Sequence, residues 1–526
     1  MPKHNPATGP NRATRTIAQA ITWLDKGFSR VYGAGANPLY HTGPLAIWML
    51  LVAVITGVYL VFFYELSHPF ESVAWLQSQP VWGRWIRALH RYSSDGAVVL
   101  TTLHVIRMFV QGRRWGPRMM AWLSGGLLLA ALLLVGWTGF VMVWDGQGQL
   151  IAVAGARLLD SLPLFTEPVG RGFVKPELIG PSFFFINLFL HLALPLAMTG
   201  LLWWHTIRLS RPGWFPPRLL MWWSLGALTL LSVAAPPGLA GKADLLGVPS
   251  PGEVDLFYNF WLLAGAVVSP GWQMALWVGL WLALMAVPWL SRPWPAARRP
   301  ESWVDQRHCD GCLQCYLDCP YNAIRMVPPP SEGVGQSPGR QKDHDVAWVE
   351  TRLCVSCGIC SASCSPMVIG PPGRTGRDQW HQAAALAKKA ASLDHRPAIA
   401  VILCANALSP GERAALTGPD RLGWQVDCSG EIHPQTVAYL LAHGLDGVLV
   451  AACPPAGCQN REGSRYLEER LSGRRDPGQK AKVDPLRVDL QWAESGDLPR
   501  LKAAMAGFET RLRELESPSK PKRGHP

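Results

Sequence analysis

Two histidine pairs, His90 with His104 and His191 with His205, are each separated by fourteen positions of mainly apolar sequence. On an α-helix, fourteen steps of about 100° bring a side chain back to within roughly 40° of its starting direction, about 21 Å further along the axis. Each pair therefore faces one neighbour at two depths. A hydrocarbon core is about 30 Å thick, so one member of each pair lies toward each face of a bilayer. Ionisable side chains at such depth are costly and mark a function with a defined partner. Four imidazoles in two facing pairs suit bis-histidine ligation of two stacked haems. The alternative is an interfacial histidine at each helix end, satisfied by headgroups or water; the doubled spacing argues for ligation. No cysteine precedes Cys309, so the haems are expected to be held without thioether bonds, as b-type haems.

All twelve cysteines lie between Cys309 and Cys458. Cys309, Cys312, Cys315 and Cys319, followed by Pro320, form a C-x2-C-x2-C-x3-C-P run. Cys354, Cys357, Cys360 and Cys364 repeat it, with Ser365 inserted before Pro366. Four thiolates at this spacing hold an iron–sulfur cube, and the fourth of each run crosses to the other cluster. One [4Fe–4S] cluster is thus assigned to Cys309, Cys312, Cys315 and Cys364, the other to Cys354, Cys357, Cys360 and Cys319. Structural zinc also uses paired C-x2-C motifs, but rarely two proline-terminated quartets. Cys404, Cys428, Cys453 and Cys458 remain. They end or follow the β-like runs "AIAVILC", "GWQVDC" and "GVLVAAC", which alternate with helical stretches such as "HPQTVAYLLAHG". That alternation predicts a small α/β domain with a parallel sheet, whose strand ends gather the four thiols at one edge. Four buried free thiols are the alternative; disulfides are not expected in a reducing compartment.

The elements that must position these residues follow from composition. At 526 residues the chain exceeds one ordinary domain and divides near residue 295 into an apolar half and a cysteine-bearing half. Apolar stretches at about 43–64, 90–110, 119–144, 182–208, 218–236 and 271–291 meet the roughly 20-residue requirement for a membrane span. Six spans return both ends to one side. Lys3, Arg12, Arg15, Lys26 and Arg30 precede the first; Arg113, Arg114 and Arg118 follow the second; Arg208, Arg211 and Arg218 follow the fourth; Arg292, Arg298 and Arg299 follow the sixth. By the positive-inside rule these segments are cytoplasmic, and the stretches around 71–85 and 145–181 lie outside. "DLFYNFWLLAGAVV" (255–268) is too short to cross and reads as a re-entrant or surface helix. No signal peptide is expected, because no apolar core precedes Gly43. Residues 15–30 have helical periodicity suited to a membrane surface or to a solvated helix. The net charge of +12 is scattered around the spans without an aromatic-interleaved patch, which argues against nucleic acid.

Gly43 and Gly57 on the first span, and Gly125 and Gly139 on the third, repeat the fourteen-residue spacing. They read as clearance for the macrocycles, or else as close packing of small residues. With the four histidines, "HRYSSDG", "LHVIRMFVQG" and "GFVMVWDGQ", they make about residues 15–212 resemble the cytochrome b family of the bc1 and b6f complexes. The second and fourth spans both run inward, which sets axial pairs His90/His191 toward the outside and His104/His205 toward the inside. The resemblance implies contacts of Arg91 and Arg107 with haem propionates, both alternatively interfacial anchors, and a quinone pocket beside the haems. Where the family's outer quinol site carries Pro-Glu-Trp-Tyr, this chain reads "PSPGEVDLFYNF". Glu253 alone persists from that motif, as a quinol proton acceptor or a plain loop glutamate, with Asp255 and Tyr258 as weaker candidates. A homodimer through this region is a further expectation.

About residues 396–472 resemble the delta-subunit family of the methyl-viologen-reducing hydrogenases, carried by "CSGEIHPQTVAYLLAHGLDGVLVAACPPAGCQNREGSRYLEERL". That resemblance implies a [2Fe–2S] cluster on Cys404, Cys428, Cys453 and Cys458. It also implies linkage of a hydrogenase or dehydrogenase to a heterodisulfide-reductase-type flavoprotein. The first loop, "CANALSP", lacks a cysteine common in the family, and the last, "CPPAGCQN", lacks its histidines. The expected organisation is an amphipathic cytoplasmic segment (1–40), a di-haem membrane bundle (41–295), a ferredoxin-type α+β domain (300–372) and a small α/β domain (395–515). No G-x-G-x-x-G or P-loop is present, so a partner must supply flavin or nicotinamide chemistry. The expected function is electron transfer in the inner membrane between the quinone pool and a cytoplasmic flavoprotein. The alternative is a pure conduit and docking subunit without its own quinone site.

Overall fold

A computed structural model describes residues 12–114, 116–162, 167–173, 179–207, 209–246, 255, 257–261, 265, 267–290, 299–329, 344–393, 396–417, 421–479 and 482–516. The chain divides into two compact units, residues 38–207 with 212–292, and residues 1–37 with 208–211 and 293–526.

Helix α1 (Arg12–Tyr32) belongs to the second unit. Lys26 pairs there with Asp497 at 3.9 Å. The first unit is helical, comprising α2 (Thr42–Val61), α3 (Pro69–Ser78), α4 (Trp85–Val110), α5 (Met119–Val143), α6 (Gly146–Asp160), α7 (Pro181–Thr206), α8 (Arg218–Ala234) and α9 (Pro270–Leu290). Asp145 caps α6 by accepting from the Gly148 amide at 2.9 Å, and proline opens α3, α7 and α9, where its missing N–H costs nothing. Helices α2, α4, α5, α7, α8 and α9 occupy the six expected spans. Four helical stretches, 34–61, 116–143, 181–206 and 270–290, are long and apolar enough to cross a membrane. The other two differ for evident reasons: α4 carries Arg87, Arg91, Asp95 and Arg107, and α8 has 17 residues.

Within this bundle α2 packs on α4 and α5 on α7. Met49, Ala97, Leu132 and Met198, one from each helix and each about midway between the histidine levels, meet in a common apolar core. Tyr258 joins them, its ring so close to α5 that a Cβ on Gly136 would overlap it at 1.9 Å. Residues 257–261 form turns rather than part of the expected re-entrant or surface helix. The Asp255 carboxylate takes the Phe257 amide at 2.6 Å, and the Trp261 indole donates to the Tyr258 carbonyl at 2.9 Å. Both groups are thereby diverted from helical hydrogen bonds.

The second unit continues with β1 (Trp303–Val304), α10 (Gln314–Asp318), β2 (Ile324–Val327), β3 (Val346–Val349), α11 (Ile359–Ala362) and β4 (Ile369–Gly370). β1 pairs antiparallel with β4 and β2 with β3. There follow α12 (Gly376–Ala390), β5 (Ile399–Cys404), α13 (Pro410–Leu416), β6 (Arg421–Val426), α14 (Pro434–Ala442), β7 (Gly447–Ala452), α15 (Gly463–Leu471), β8 (Val488–Trp492) and α16 (Leu498–Glu516). Capping boxes start α12 (Thr375 with Asp378) and α13 (Ser409 with Glu412). The sheet is parallel, in the order β6-β5-β7-β8. β5 and β7 are buried throughout, as central strands covered on both faces must be. Ile399, Val401 and Leu403 meet Leu501, Met505 and Phe508 of α16. Ala400 and Ile402 turn to the opposite face, toward α12 and α14.

Candidate metal centres

The four histidines occupy equivalent settings in the helical unit. His90 and His104 project from α4 toward α2, and His191 and His205 from α7 toward α5. A Cβ on Gly57 would lie 3.0 Å from His90 Cε1, on Gly139 3.0 Å from His191, on Gly43 3.2 Å from His104 and on Gly125 3.2 Å from His205. Each glycine thus makes room for an imidazole. The residue before each glycine is Thr42, Thr56, Ser124 or Thr138, whose hydroxyl lies 3.0–3.2 Å from the Nδ1 of the same histidine. His90 Nδ1 also meets the Ala53 carbonyl at 2.9 Å, and His191 Nδ1 that of Val135 at 3.0 Å. With Nδ1 engaged, Nε2 is the nitrogen left for a metal. The His90 and His191 rings face each other with centroids 6.2 Å apart. Two imidazoles each about 2 Å from one metal, the usual metal–nitrogen distance, place their centroids roughly 6 Å apart, so this pair fits a haem iron between them. His104 and His205 lie within electrostatic reach of one another.

Arg91 is held by Asp95 at 3.0 Å and by Asp255, with its guanidinium 4.1 Å from the centre of the Phe140 ring. Arg107 is buried over Tyr40. Tyr258 hydrogen-bonds to the Ser94 carbonyl at 3.0 Å. Glu253 lies outside the described residues, as do Arg208, Arg292 and Arg298.

In the second unit two apolar cavities are ringed by thiols. One is lined by Cys309, Cys312, Cys315 and Cys364, the other by Cys319, Cys354, Cys357 and Cys360. The fourth cysteine of each quartet lines the other quartet's cavity. Among the described residues no three His, Cys, Asp or Glu are placed to share a single metal ion. The sulfurs are instead spread around voids.

The two quartets are offset by 45 positions, and so is their backbone. Gly311, Leu313 and Asn322 have φ of 68°, 66° and 50°; Ser356, Gly358 and Met367, at the equivalent places, have 57°, 78° and 60°. Left-handed residues reverse the local peptide direction and form anion-binding concavities, a conformation non-glycine residues rarely adopt unless their surroundings enforce it. Amides accordingly reach the sulfurs: Ala323 donates to Cys319 at 3.3 Å and Val368 to Cys364 at 3.4 Å, again equivalent positions. Burial pushes the Cys315, Cys357 and Cys360 thiols up, and Cys364 to about 11. A cluster that takes these sulfurs as thiolates must displace those protons.

The remaining four cysteines converge at one end of the parallel sheet, where Cys404 closes β5, Cys428 follows β6, and Cys453 and Cys458 follow β7. Cys404 and Cys453 have sulfurs 3.9 Å apart. Hydrogen bonding from Cys453 holds Cys404 below the ordinary thiol range, and bonding from Cys428 does the same for Cys458. Gly463 permits this convergence, since a Cβ there would lie 2.8 Å from Cys428 Sγ. Amides of Asn406 and Ser429 point at Cys404, and those of Asn460 and Ser464 at Cys458. Four buried thiols ringed by N–H donors fit an iron–sulfur cluster.

Sequence reasoning missed Asp318, between Cys315 and Cys319. Its fully buried carboxylate accepts from Arg470, from Arg475 at 2.7 Å and from Ser363 at 2.9 Å. Arg470 is buried completely as well.

Residues 29–213 match the family model described as cytochrome b/b6/petB, a span holding all four histidines. The membrane half is cytochrome b-like. Within it, 191 residues are 28% identical to the cytochrome b subunit of menaquinol:cytochrome c reductase of Geobacillus thermodenitrificans, covering 34% of this chain and 84% of that subunit. The Bacillus subtilis subunit of the same description matches at the same identity and coverage. A solved structure described as a hyperthermophilic respiratory complex III aligns with 51% of this chain and 82% of its own, at a TM-score of 0.40 and 17% identity. Beyond the cytochrome b-like region, residues 303–325 match a 4Fe-4S binding domain, which takes in the first quartet. Residues 413–516 match the delta subunit of methyl-viologen-reducing hydrogenase, a span that begins after Cys404. The chain is a multi-pass membrane electron-transfer subunit whose cytochrome b-like region implies haem b and whose ferredoxin-type region implies a [4Fe–4S] cluster.

Proposed function

We propose that this chain exchanges electrons between the membrane quinone pool and a soluble cytoplasmic flavoprotein or dehydrogenase. It would hold two haems b, on His90/His191 and His104/His205, two [4Fe–4S] clusters in the crossed quartets, and a [2Fe–2S] cluster on Cys404, Cys428, Cys453 and Cys458. The single observation that carries this reading is the presence, in one chain, of facing imidazoles in a helical bundle and of three convergent groups of four thiols. Quinone as the membrane substrate is supported by the cytochrome b subunits of menaquinol reductases that the first half resembles. Asp255 and Tyr258, beside Arg91, offer a carboxylate and a hydroxyl near the His90 level where a quinol proton could be received. The cytoplasmic side for the cysteine half follows from Arg113, Arg114 and Arg118 between the second and third spans.

The haems and clusters supply one-electron redox chemistry; the protein holds and insulates them. Thr56 and Ala53 fix the His90 ring through Nδ1, and Thr138 and Val135 fix His191. Losing such an outer hydrogen bond typically weakens metal binding 10–100-fold. Thr56→Val is therefore expected to release haem faster to a scavenging globin, while Thr56→Ser retains it. Equal release from both variants would leave the hydroxyl without a role.

The reading is tested with the purified full chain and no soluble partner. A reduced short-chain menaquinol should reduce haem b in stopped-flow spectra. A chain that accepts electrons only from a cytoplasmic donor would be a conduit alone. In the same preparation Cys404→Ser should remove a [2Fe–2S] electron paramagnetic resonance signal and leave both cubane signals. Loss of a cubane signal instead would reassign the ligands.

A further inference from the structure

One half-buried guanidinium ties two of the thiol groups together. Arg374 precedes α12 and belongs to neither cysteine motif. Its Nη2 donates to both the carbonyl and the hydroxyl of Ser356, at 2.9 Å each, between Cys354 and Cys357 of the second quartet. Its Nη1 lies 2.7 Å from the Glu431 carboxylate and 2.8 Å from that of Asp427, on either side of Cys428. Glu431 is buried and its second oxygen accepts the Asp427 amide at 3.1 Å. Gln379 of α12 completes the brace, donating to the Glu431 carbonyl at 2.7 Å and accepting from the His433 amide at 2.9 Å. The contact is close enough that a Cβ on Gly358 would fall 2.3 Å from Glu431 Oε2. Cys357 lies within electrostatic reach of Cys428, across this brace. Links to the centre of Cys309, Cys312, Cys315 and Cys364 are of another kind: His433 meets the Cys364 backbone, and Arg470 meets Asp318.

We propose that Arg374 is a positioning residue that clamps the Cys428 loop onto the second quartet, making the Cys319/Cys354/Cys357/Cys360 centre the direct redox neighbour of the four-thiol centre. This rests on the reading that both places hold clusters. The step it positions is the passage of one electron, with no bond made or broken. A guanidinium does this better than an ammonium because its fork reaches Ser356 with one nitrogen and both carboxylates with another, whereas a lysine offers a single point of charge. The Glu431 side chain is buried, which restricts alternatives: a displaced loop would leave it without its cation.

The test uses the full chain, chemically reduced and examined by electron paramagnetic resonance. In the native protein the four-thiol signal is expected to be split or broadened by its reduced neighbour. Cys357→Ser should abolish that interaction and Cys312→Ser should leave it. Arg374→Gln and Arg374→Lys should both weaken it while retaining both signals, the lysine variant showing that geometry rather than charge is responsible. An interaction that survives Cys357→Ser, or that vanishes in Cys312→Ser, overturns the proposal. Iron analysis accounting only for the two quartets would instead overturn the reading beneath it. Amide hydrogen exchange then still decides the clamp: in Arg374→Lys, residues 354–358 and 427–433 should lose protection together. Unchanged exchange in both segments defeats the clamp.

Discussion

His90→Leu is expected to lower haem b from about two per chain to about one, because a bis-histidine site without one imidazole loses half of its axial ligation. The remaining haem should be that of His104 and His205, about 21 Å away along α4 and supported by its own partners, Gly43 with Thr42 and Gly125 with Ser124. Leucine roughly fills the volume of the ring, so α4 keeps its packing on α2 and the effect falls on the ligand. Pyridine haemochrome analysis of native and variant protein reads the result directly. A redox titration should show one haem transition in place of two. On the proposed topology the haem that remains is still reduced by a cytoplasmic donor, whereas in His104→Leu the outer haem is not. Two haems retained in His90→Leu would remove that histidine from the ligand set.

Asp318→Ala should be the most damaging single change in the cysteine half. It leaves Arg470 charged in a place with no exposure, and breaking a buried pair by deleting one partner costs about 3–5 kcal/mol. Arg475 and Ser363 each lose one acceptor at the same time, keeping Glu469 and the Ile359 carbonyl respectively. Because Asp318 lies between Cys315 and Cys319, the loss of stability should appear as lowered melting of the cysteine half and loss of cubane signals, with the haem spectrum unchanged. Asp318→Ala combined with Arg470→Met should recover part of the stability, since removing both charges avoids the stranded cation. A single variant as stable as the native protein would show that water reaches Arg470.

Much of this was legible in the residues. The fourteen-residue repeat placed four histidines and four glycines on the right helices, since a straight helix converts spacing into direction without tertiary information. The quartets foretold the crossed cavities for a similar reason: the spacing itself encodes which sulfurs can meet. What escaped notice depended on long-range contact or on unremarkable residue types. Thr42, Thr56, Ser124 and Thr138 look like ordinary helix residues one at a time. Yet a hydroxyl residue before glycine recurs at the same fourteen-residue interval, and that signal was available. Asp318 and Arg470 are 152 positions apart, and nothing local announces their pairing. β8 escaped because "VDLQW" alternates polar and apolar residues, as a half-buried edge strand does, unlike the continuous apolar runs of β5 and β7. α4 shows the converse. Its charged residues weaken the membrane signal of a helix that nonetheless bears two of the four histidines.

The exchange of Cys319 and Cys364 between the two cavities has a consequence for how the protein is made. A chain synthesised from its N-terminus at roughly 5–20 residues per second releases Cys319 several seconds before Cys364, which is 45 positions later. During that interval the first three cysteines lack a fourth wall, and Cys319 faces a cavity whose other sides do not yet exist. The Cys319/Cys354/Cys357/Cys360 centre has all of its thiols once Cys360 is made, four positions before Cys364 supplies the last thiol of the other. On the proposed assignment neither centre has all of its sulfurs until the second quartet is being made, while the loss of one sulfur, such as that of Cys312, opens only the cavity it lines. A chain ending before Cys354 should therefore hold neither cluster, which iron analysis of that truncated protein would show.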